Sequence, residues 1–555
     1  MNKFKFLNFW RSLIIVFTIS SFSILFIAFD DSDDFELAKN LDIYHTLIRD
    51  LRMVYVDEID IAELVKTSID EMLKSLDPYT VYYPESKIED FRFMTTGQYG
   101  GIGALIRNSK EGVVIEEIYQ NYPAHKAGII PGDVIKKVGD KLITNKNDDD
   151  ISILLKGVPN SDIKITVFRP IENKEYIKIV KREKIIVKNV PYSTLIEQDI
   201  AYIKLNGFTQ TAYDEVKAAL LDLKSKGANK LILDLRSNPG GLLNEAVKIV
   251  SLFVDKQTLV VSTKGKVKSW NSDLYTRREP VDIDIPIVIL VNSNSASASE
   301  IVSGALQDLD RAIVIGQRTY GKGLVQTSRD LSYNTKLKVT TAKYYIPSGR
   351  CIQALDYTHR NKDGSVGYIP DSLITEFKTK NGRSVFDGGG IIADIKVENK
   401  KLCSVGIYLL SNYIIFDYVT KYKFENKTIA DISKFSMNDA DYNDFIQYVE
   451  KRNIEYKTES DIALSKFVKT LKEDNYYEKV SDEVKNLQNK LKHNVSEDLL
   501  YFKDNIKIYL AAEIINRYYY QNGTIEYMLL NSDEKQKAIE ILNNKNKYNT
   551  ILNVK

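Results

Sequence analysis

Between residues 186 and 371 short apolar runs alternate with longer amphipathic ones, and this alternation restricts the fold more than any other feature of the chain. Ile200-Ala201-Tyr202-Ile203, residues 230–234 and residues 285–291 read as buried strands, and residues 212–226 and 243–254 read as the helices between them. Strands joined by helices call for right-handed crossovers and a layered, largely parallel sheet. In such sheets sites collect outside the carboxyl ends of the strands. Two unusual turns stand there: Arg236-Ser237-Asn238-Pro239-Gly240-Gly241 and Ser295-Ala296-Ser297-Ala298-Ser299. The second opens a helix near Glu300, whose first amides lack helical partners and face whatever lies over the turn. A further apolar strand, residues 312–315, leads to Tyr320-Gly321-Lys322-Gly323.

A serine on a turn is ordinarily a cap or a turn former. Ser297 is set apart by its strand-to-helix position, where the amide of Ala298 can face an oxyanion. The glycine turn at Gly240 and Gly241 can supply a second amide without side-chain obstruction. A hydroxyl nucleophile also needs a base. The chain has 4 histidines, His45, His125, His359 and His493, and none lies at the strand ends above, so a serine-histidine-aspartate triad lacks a partner. Lysine can serve if it is neutral, a form that burial favours. Its usual pKa of about 10.4 must then fall by several units. Lys322, between two glycines, is the candidate base for Ser297, and Gln326 stands where it can orient the pair.

Residues 97–184 have a different texture, with short β-like runs separated by turn signals. Gly100-Gly101-Ile102-Gly103-Ala104 is a glycine-rich loop before a strand, fit to present successive amides to an anion. Tyr122-Pro123-Ala124, Ala127-Gly128-Ile129 and Pro131-Gly132-Asp133-Val134-Ile135 then read as a short helix and a tight turn into a strand. Together they resemble a PDZ domain, in which such a loop takes a peptide's terminal carboxylate and a strand edge pairs with its backbone. A phosphate loop is disfavoured because Gly103 leads into a strand and no Gly-Lys-Ser or Gly-Lys-Thr follows.

At the N-terminus Lys3, Lys5 and Arg11 precede an apolar run over residues 13–29, and Asp30-Asp31-Ser32-Asp33-Asp34 follows. The pattern fits an uncleaved membrane anchor better than a removed signal peptide, with the body of the protein in the periplasm in either case. Residues 35–93 are helical by periodicity and end at Leu76-Asp77-Pro78-Tyr79-Thr80; after residue 400 the chain is largely helical and polar, without a catalytic motif. Lys plus Arg (77) nearly balance Asp plus Glu (75), for a net charge of +2, which offers no electrostatic case for nucleic acid. Cys351 and Cys403 have no metal-ligand spacing, and whether they pair is left open.

These motifs identify a resemblance to the carboxyl-terminal processing peptidases, or tail-specific proteases, running from about residue 76 to residue 397. Ser-Ala-Ser-Ala-Ser-Glu at residues 295–300 matches the family's nucleophile motif, Gly321-Lys322-Gly323 its base, and Gln326 its supporting glutamine. Asp234-Leu235-Arg236-Ser237-Asn238-Pro239-Gly240-Gly241 matches its oxyanion turn, with Ser237 where asparagine is common, and Ala393 stands where the family usually has proline. Tyr345-Ile346-Pro347-Ser348-Gly349-Arg350 also fits.

The resemblance implies a multidomain α+β protein. Its expected parts are a cytoplasmic N-terminus with anchor or signal segment (residues 1–34), a helical segment (35–96), a PDZ domain (97–185), a crotonase-like α/β peptidase domain (186–399) and a C-terminal helical extension (400–555). It implies a serine endopeptidase that uses Ser297, Lys322 and Gln326, the amides of Ala298, Gly240 and Gly241, and peptide binding at Gly101, Ile102, Gly103 and Ala104, with no cofactor or metal. The implied partners are protein substrates with accessible C-termini and the membrane; a second copy or an adaptor protein stays open. A catalytically silent PDZ scaffold is the rival reading. A crotonase-type acyl-CoA enzyme shares the layered architecture but leaves the PDZ motifs unexplained.

Overall fold

The computed structural model describes residues 31–109, 112–143, 148–361, 364–398, 402–491 and 493–554. They fall into two compact units, residues 1–82 and 83–555. The first unit contains α1 (Asp31–Val54) and α2 (Ile61–Lys74), as the helical spacing predicts. Asp60 caps α2 by accepting the amides of Ala62 and Glu63, and Asp77 accepts those of Tyr79 and Thr80 where the Asp-Pro turn is expected. The apolar run at residues 13–29 lies outside the described residues. No helix among those described is long and apolar enough to cross a membrane.

In the second unit a helix over Ile88–Thr96 leads into a β-domain. Its elements are β1 (Gln98–Gly101), β2 (Ala104–Ser109), β3 (Gly112–Ile118), α3 (Pro123–Lys126), β4 (Val134–Val138), α4 (Asp148–Leu155), β5 (Asp162–Arg169), β6 (Lys174–Lys181) and β7 (Glu183–Ile186). The main sheet runs β2-β3-β4-β5-β6, antiparallel throughout, and β1 pairs with β7. Ile102, Val113, Ile115, Ile135, Ile151, Leu155, Ile165 and Val167 form its core. β2 is an edge strand, so one row of its main-chain groups has no neighbouring strand.

Along the α/β core follow β8 (Tyr192–Ile196), β9 (Ile200–Lys204), α5 (Ala212–Ser225), β10 (Lys230–Asp234), α6 (Leu243–Val250), β11 (Leu259–Gly265), β12 (Ile287–Val291), α7 (Ala298–Asp308), β13 (Ile313–Gly316), β14 (Leu324–Asp330), β15 (Lys336–Tyr345) and β16 (Ile395–Lys396). The six-stranded central sheet has the order β8-β9-β10-β12-β13-β16, parallel except between β8 and β9. The expected strands are all present; the helix predicted over residues 243–254 ends at Val250, where the chain turns.

Side chains alternate across a strand, so each strand here serves two cores. Ile203, Leu231, Leu233, Ile287, Ile289 and Val314 pack against α5, α6 and α7. The alternate residues, Ile200, Tyr202, Ile232, Val288, Leu290, Ile313 and Ile315, face the other way and need a second cover. That cover comes from the far end of the chain.

The helices after residue 400 include α8 (Ser404–Ser411), α9 (Ile414–Glu425), α10 (Asp439–Glu450), α11 (Lys503–Leu530), α12 (Asp533–Leu542) and α13 (Lys545–Ile551). The first four share a core of Val405, Leu409, Ile415, Tyr418, Phe445, Val449, Ile506 and Leu510. Phe416 and Tyr413 press on Val114 and Val134 of the β-domain. α11 breaks at Tyr520 (φ 57°, ψ −162°), whose hydroxyl meets His125 Nε2 of α3 at 2.7 Å. Beyond the break, Leu529, Ala538, Ile541, Leu542, Tyr548 and Leu552 fill the second face of the central sheet. The boundary expected at residues 399/400 therefore marks where the helical texture begins, but the last helices belong to the packing of the α/β core.

Candidate active site

Ser297 immediately precedes α7 and follows the turn that leaves β12. Its backbone is held at φ 55° and ψ −114°, a conformation that a residue with a Cβ rarely adopts. Several bonds hold it there. The Ser297 amide donates to Glu300 Oε2 (2.8 Å), and its carbonyl accepts from the amides of Glu300 (2.8 Å) and Ile301 (2.9 Å) and from the hydroxyl of Tyr344 (3.2 Å). Burial, and then the Glu300 charge, push the Tyr344 hydroxyl well above its usual range, so it stays a protonated donor.

The neighbouring serines have other work. Ser295 is buried and donates to Leu235 O (2.8 Å), and Ser299 is buried and donates to Asn238 O (2.9 Å). Both tie the serine turn to the chain that leaves β10. Ser297, between them, is half-buried.

Glu300 was not singled out by the sequence reading, yet it organises the site. It is fully buried, and its two oxygens accept four hydrogen bonds: Thr319 Oγ1 (2.6 Å) and the amide of Gly321 (2.7 Å) on Oε1, the amides of Ser297 (2.8 Å) and Lys322 (2.9 Å) on Oε2. One carboxylate oxygen thus gathers the main chains of Ser297 and Lys322. Burial raises the Glu300 carboxyl above its ordinary range, against the pull of these four donors. The available signal was its spacing: serine followed three residues later by glutamate is the capping-box pattern.

Lys322 is half-buried in the loop between β13 and β14, and the following Gly323 donates its amide to Gln353 Oε1 (2.8 Å). Gln326 lies on β14 beside a register shift against β15, and its Nε2 reaches Thr340 Oγ1 (3.2 Å). Three of the four histidines are engaged elsewhere, His125 with Tyr520, His359 with Asp356 and His493 with Asp461, and His45 lies on α1.

The glycine turn packs directly on the serine turn. A Cβ at Gly240 (φ 99°) would lie 2.7 Å from Ala296 O and 2.8 Å from both Ala298 N and Ser297 Cβ, so only glycine allows this approach. Gly240 donates its own amide to Asn238 Oδ1 (2.9 Å), while the amides of Ala298 and Gly241 make no hydrogen bond among the described residues. Asn238 anchors the turn further, donating Nδ2 to Leu205 O (2.8 Å) and accepting the Ala296 amide (3.0 Å). At the start of the turn Asp234 is buried against Lys204, Arg236 and the Tyr202 hydroxyl. Burial opposes its ionisation, but the charges of Arg236 and Lys204 outweigh that and hold the carboxyl well below the carboxylate range.

In the β-domain, Gly101 closes β1, Ile102 and Gly103 form the loop, and Ala104 opens the edge strand β2. The loop is fixed from behind: Ile102 O accepts the Ala124 amide (2.8 Å) and Gly103 O accepts that of Tyr119 (3.0 Å). α4 packs along β2, and Leu105 on β2 and Ile153 on α4 are both exposed. Cys351 and Cys403 are both free thiols. Among the described residues no cluster of His, Cys, Asp and Glu could hold a metal ion.

Three family models match the chain: "Peptidase family S41" over residues 199–359, "PDZ domain" over residues 100–178, and "Probable PDZ-protease, C-terminal helical domain" over residues 405–542. A "Carboxy-terminal-processing protease" of Bartonella bacilliformis is 35% identical over 325 residues, covering 58% of this chain and 74% of the relative. A "Probable CtpA-like serine protease" of Staphylococcus aureus is 37% identical over 327 residues, covering 58% of this chain; the chain spans 63% of that relative's length. Among solved structures, the photosystem II D1 C-terminal processing protease is 25% identical, with 64% of this chain and 92% of that one covered and a TM-score of 0.36.

Proposed function

Since this chain belongs to the S41 family of carboxy-terminal processing proteases and carries that family's PDZ and C-terminal helical domains, we propose that it is a serine endopeptidase that selects substrates by their free C-termini and cleaves them in the α/β core. Ser297 Oγ attacks the scissile carbonyl carbon while Lys322 Nζ takes its proton, and the amides of Ala298 and Gly241 receive the oxyanion. The Gly240 amide, bonded to Asn238, leaves that role to Gly241. As the C–N bond breaks, Lys322 returns the proton to the leaving amine. Water, deprotonated by the same lysine, then releases the acyl group and restores Ser297. Gln326 stands with Thr340 beside this lysine loop and supports its placement.

The observation that carries the reading is the shared Glu300 oxygen, which brings the chain bearing Ser297 to the chain bearing Lys322. The edge strand β2 and the loop at Gly101, Ile102, Gly103 and Ala104 support peptide recognition by strand addition with the terminal carboxylate at the loop. The basic flank and apolar run of residues 1–34 support a membrane-anchored protein facing the periplasm, which protease accessibility in spheroplasts tests.

The deciding experiment uses an unfolded substrate protein with an apolar C-terminal tail. Ser297→Ala and Lys322→Ala each abolish cleavage while cooperative unfolding is retained; near-normal activity in either variant refutes the assignment. A protein that cleaves nothing, leaves Ser297 unlabelled by a fluorophosphonate, and still binds tail peptides is the silent scaffold instead.

A further inference from the structure

The C-terminal helices reach the candidate site through one side chain. Arg236 begins the turn that carries Asn238, Gly240 and Gly241. Its guanidinium is shared between two parts of the chain: Nε and Nη2 bond the Asp234 carboxylate, while Nη1 donates to Ser532 Oγ (2.8 Å) and Glu534 Oε2 (3.0 Å). Ser532 donates to the same Glu534 oxygen (2.8 Å) and caps α12 by accepting the Lys535 amide. The side chains of Arg236 and Glu534 are 19% and 15% exposed, so the pair is mostly out of water.

The main chain of Arg236 is fixed by the same cluster. Its amide donates to Asp234 Oδ1 (2.9 Å) and its carbonyl accepts from Lys204 Nζ (2.5 Å). Lys204 and Arg236 are balanced by Asp234 and Glu534, so removing Glu534 leaves an excess positive charge in a largely desolvated cluster. Two residues beyond Arg236, Asn238 holds the Gly240 amide through its side chain, and its carbonyl receives the Ala296 amide and the Ser299 hydroxyl. A shift of Arg236 therefore reaches both the glycine turn and the serine turn.

We propose that Glu534, with Ser532, is a positioning residue of the active site: through Arg236 it fixes the turn that presents the Gly241 amide to the oxyanion. The α/β core holds a complete oxyanion site only while the segment around residues 532–534 is docked on it. This rests on the peptidase reading above.

The test uses the full chain. Glu534→Gln keeps the shape and removes the charge, and Ser532→Ala removes the second acceptor. Ile541→Ala, on the same helix and buried against the sheet, leaves a cavity that lowers stability while the helix stays docked and its contacts with Arg236 are kept. With the tailed substrate, Glu534→Gln lowers kcat about 10- to 100-fold, the scale of a small misplacement of reacting groups. KM and the binding of a C-terminal tail peptide stay within about twofold, on the same grounds. The affinity of a peptidyl boronate, which mimics the tetrahedral intermediate, falls in parallel with kcat, and Ser532→Ala changes both in the same direction by less. Ile541→Ala lowers the melting temperature and leaves the kcat of the folded protein unchanged.

The proposal is overturned if Glu534→Gln retains kcat with only a lowered melting temperature, or if Ile541→Ala reduces kcat as much. If Glu534→Gln does not fold, Ser532→Ala alone decides by whether boronate affinity drops. If the unaltered protein does not cleave, the peptidase reading fails and this inference falls with it, so the two failures are told apart.

Discussion

Ser297 and Lys322 donate their main-chain amides to the same oxygen of Glu300, at 2.8 and 2.9 Å. The two residues are thereby spaced by a fixed backbone frame and not by their side chains alone. The frame depends on one buried carboxylate that holds four donors.

Glu300→Gln replaces one acceptor oxygen by an NH2 group facing donors, which leaves at least one buried amide without a partner, at a cost of about 1–3 kcal/mol. Peptidase activity falls about 5- to 150-fold, that cost expressed as lost positioning, since about 1.4 kcal/mol is one decade in rate. The pH dependence of stability gives a second readout. Because burial raises the folded-state value, the folded protein keeps this proton at pH values where the unfolded chain, titrating near about 4.3, has lost it. The contribution is greatest below that pH, declines as pH rises towards the raised folded value, and is level above it. Urea midpoints measured across this range show a decline in the wild type that is shallower in Glu300→Gln; what remains comes from the carboxyls of Asp308 and Asp394, which burial also raises.

Among the alternating serines, Ser297→Ala abolishes turnover, while Ser295→Ala and Ser299→Ala act on stability. Each of the latter removes a buried hydroxyl from a main-chain carbonyl and costs about 1–3 kcal/mol. Below their melting temperatures both control variants still label with a fluorophosphonate. Denaturant titration and active-site labelling of the three variants separate the roles.

Gly240→Ala introduces a methyl group 2.7 Å from Ala296 O and 2.8 Å from Ser297 Cβ, at a backbone φ of 99° that alanine disfavours. The serine and glycine turns must move apart, and kcat falls about 100- to 1000-fold, the effect of losing an oxyanion donor. Tail-peptide binding to the β-domain is unchanged, as fluorescence anisotropy will report.

Truncation after residue 399, where the helical texture begins, strips Leu529, Ile541, Leu542, Tyr548 and Leu552 from the central sheet and exposes Ile232, Val288 and Ile313. The shortened chain aggregates and shows no cooperative thermal transition. Within the intact chain, Ile541→Ala costs about 2–5 kcal/mol for the cavity it leaves, measured by urea unfolding.

Much of this was legible before the structure, for identifiable reasons. The strands of the α/β core read clearly because strands buried on both faces are continuously apolar, and the two turns are punctuated by glycine, proline and serine. Glu300 carried a readable spacing from Ser297, but that spacing also describes an ordinary helix cap. Only the return of Thr319, Gly321 and Lys322 from the next loop distinguishes it. The contact of Arg236 with Glu534 spans 298 residues, and no periodicity in either segment announces it. Likewise the apolar stripe of Leu529, Ile541 and Leu542 reveals an amphipathic segment but not which surface it covers, because helical spacing encodes a face and not its partner.

The cover of the central sheet also sets an order of events. Strands made between residues 200 and 316 present Ile200, Ile232, Val288 and Ile315 to a surface that residues 529–552 supply. During folding those strands stay half-dressed in solvent until residues 529–552 dock, and the long loop this closes makes that docking slow. The central sheet is covered on both faces only after contacts hundreds of residues apart have closed.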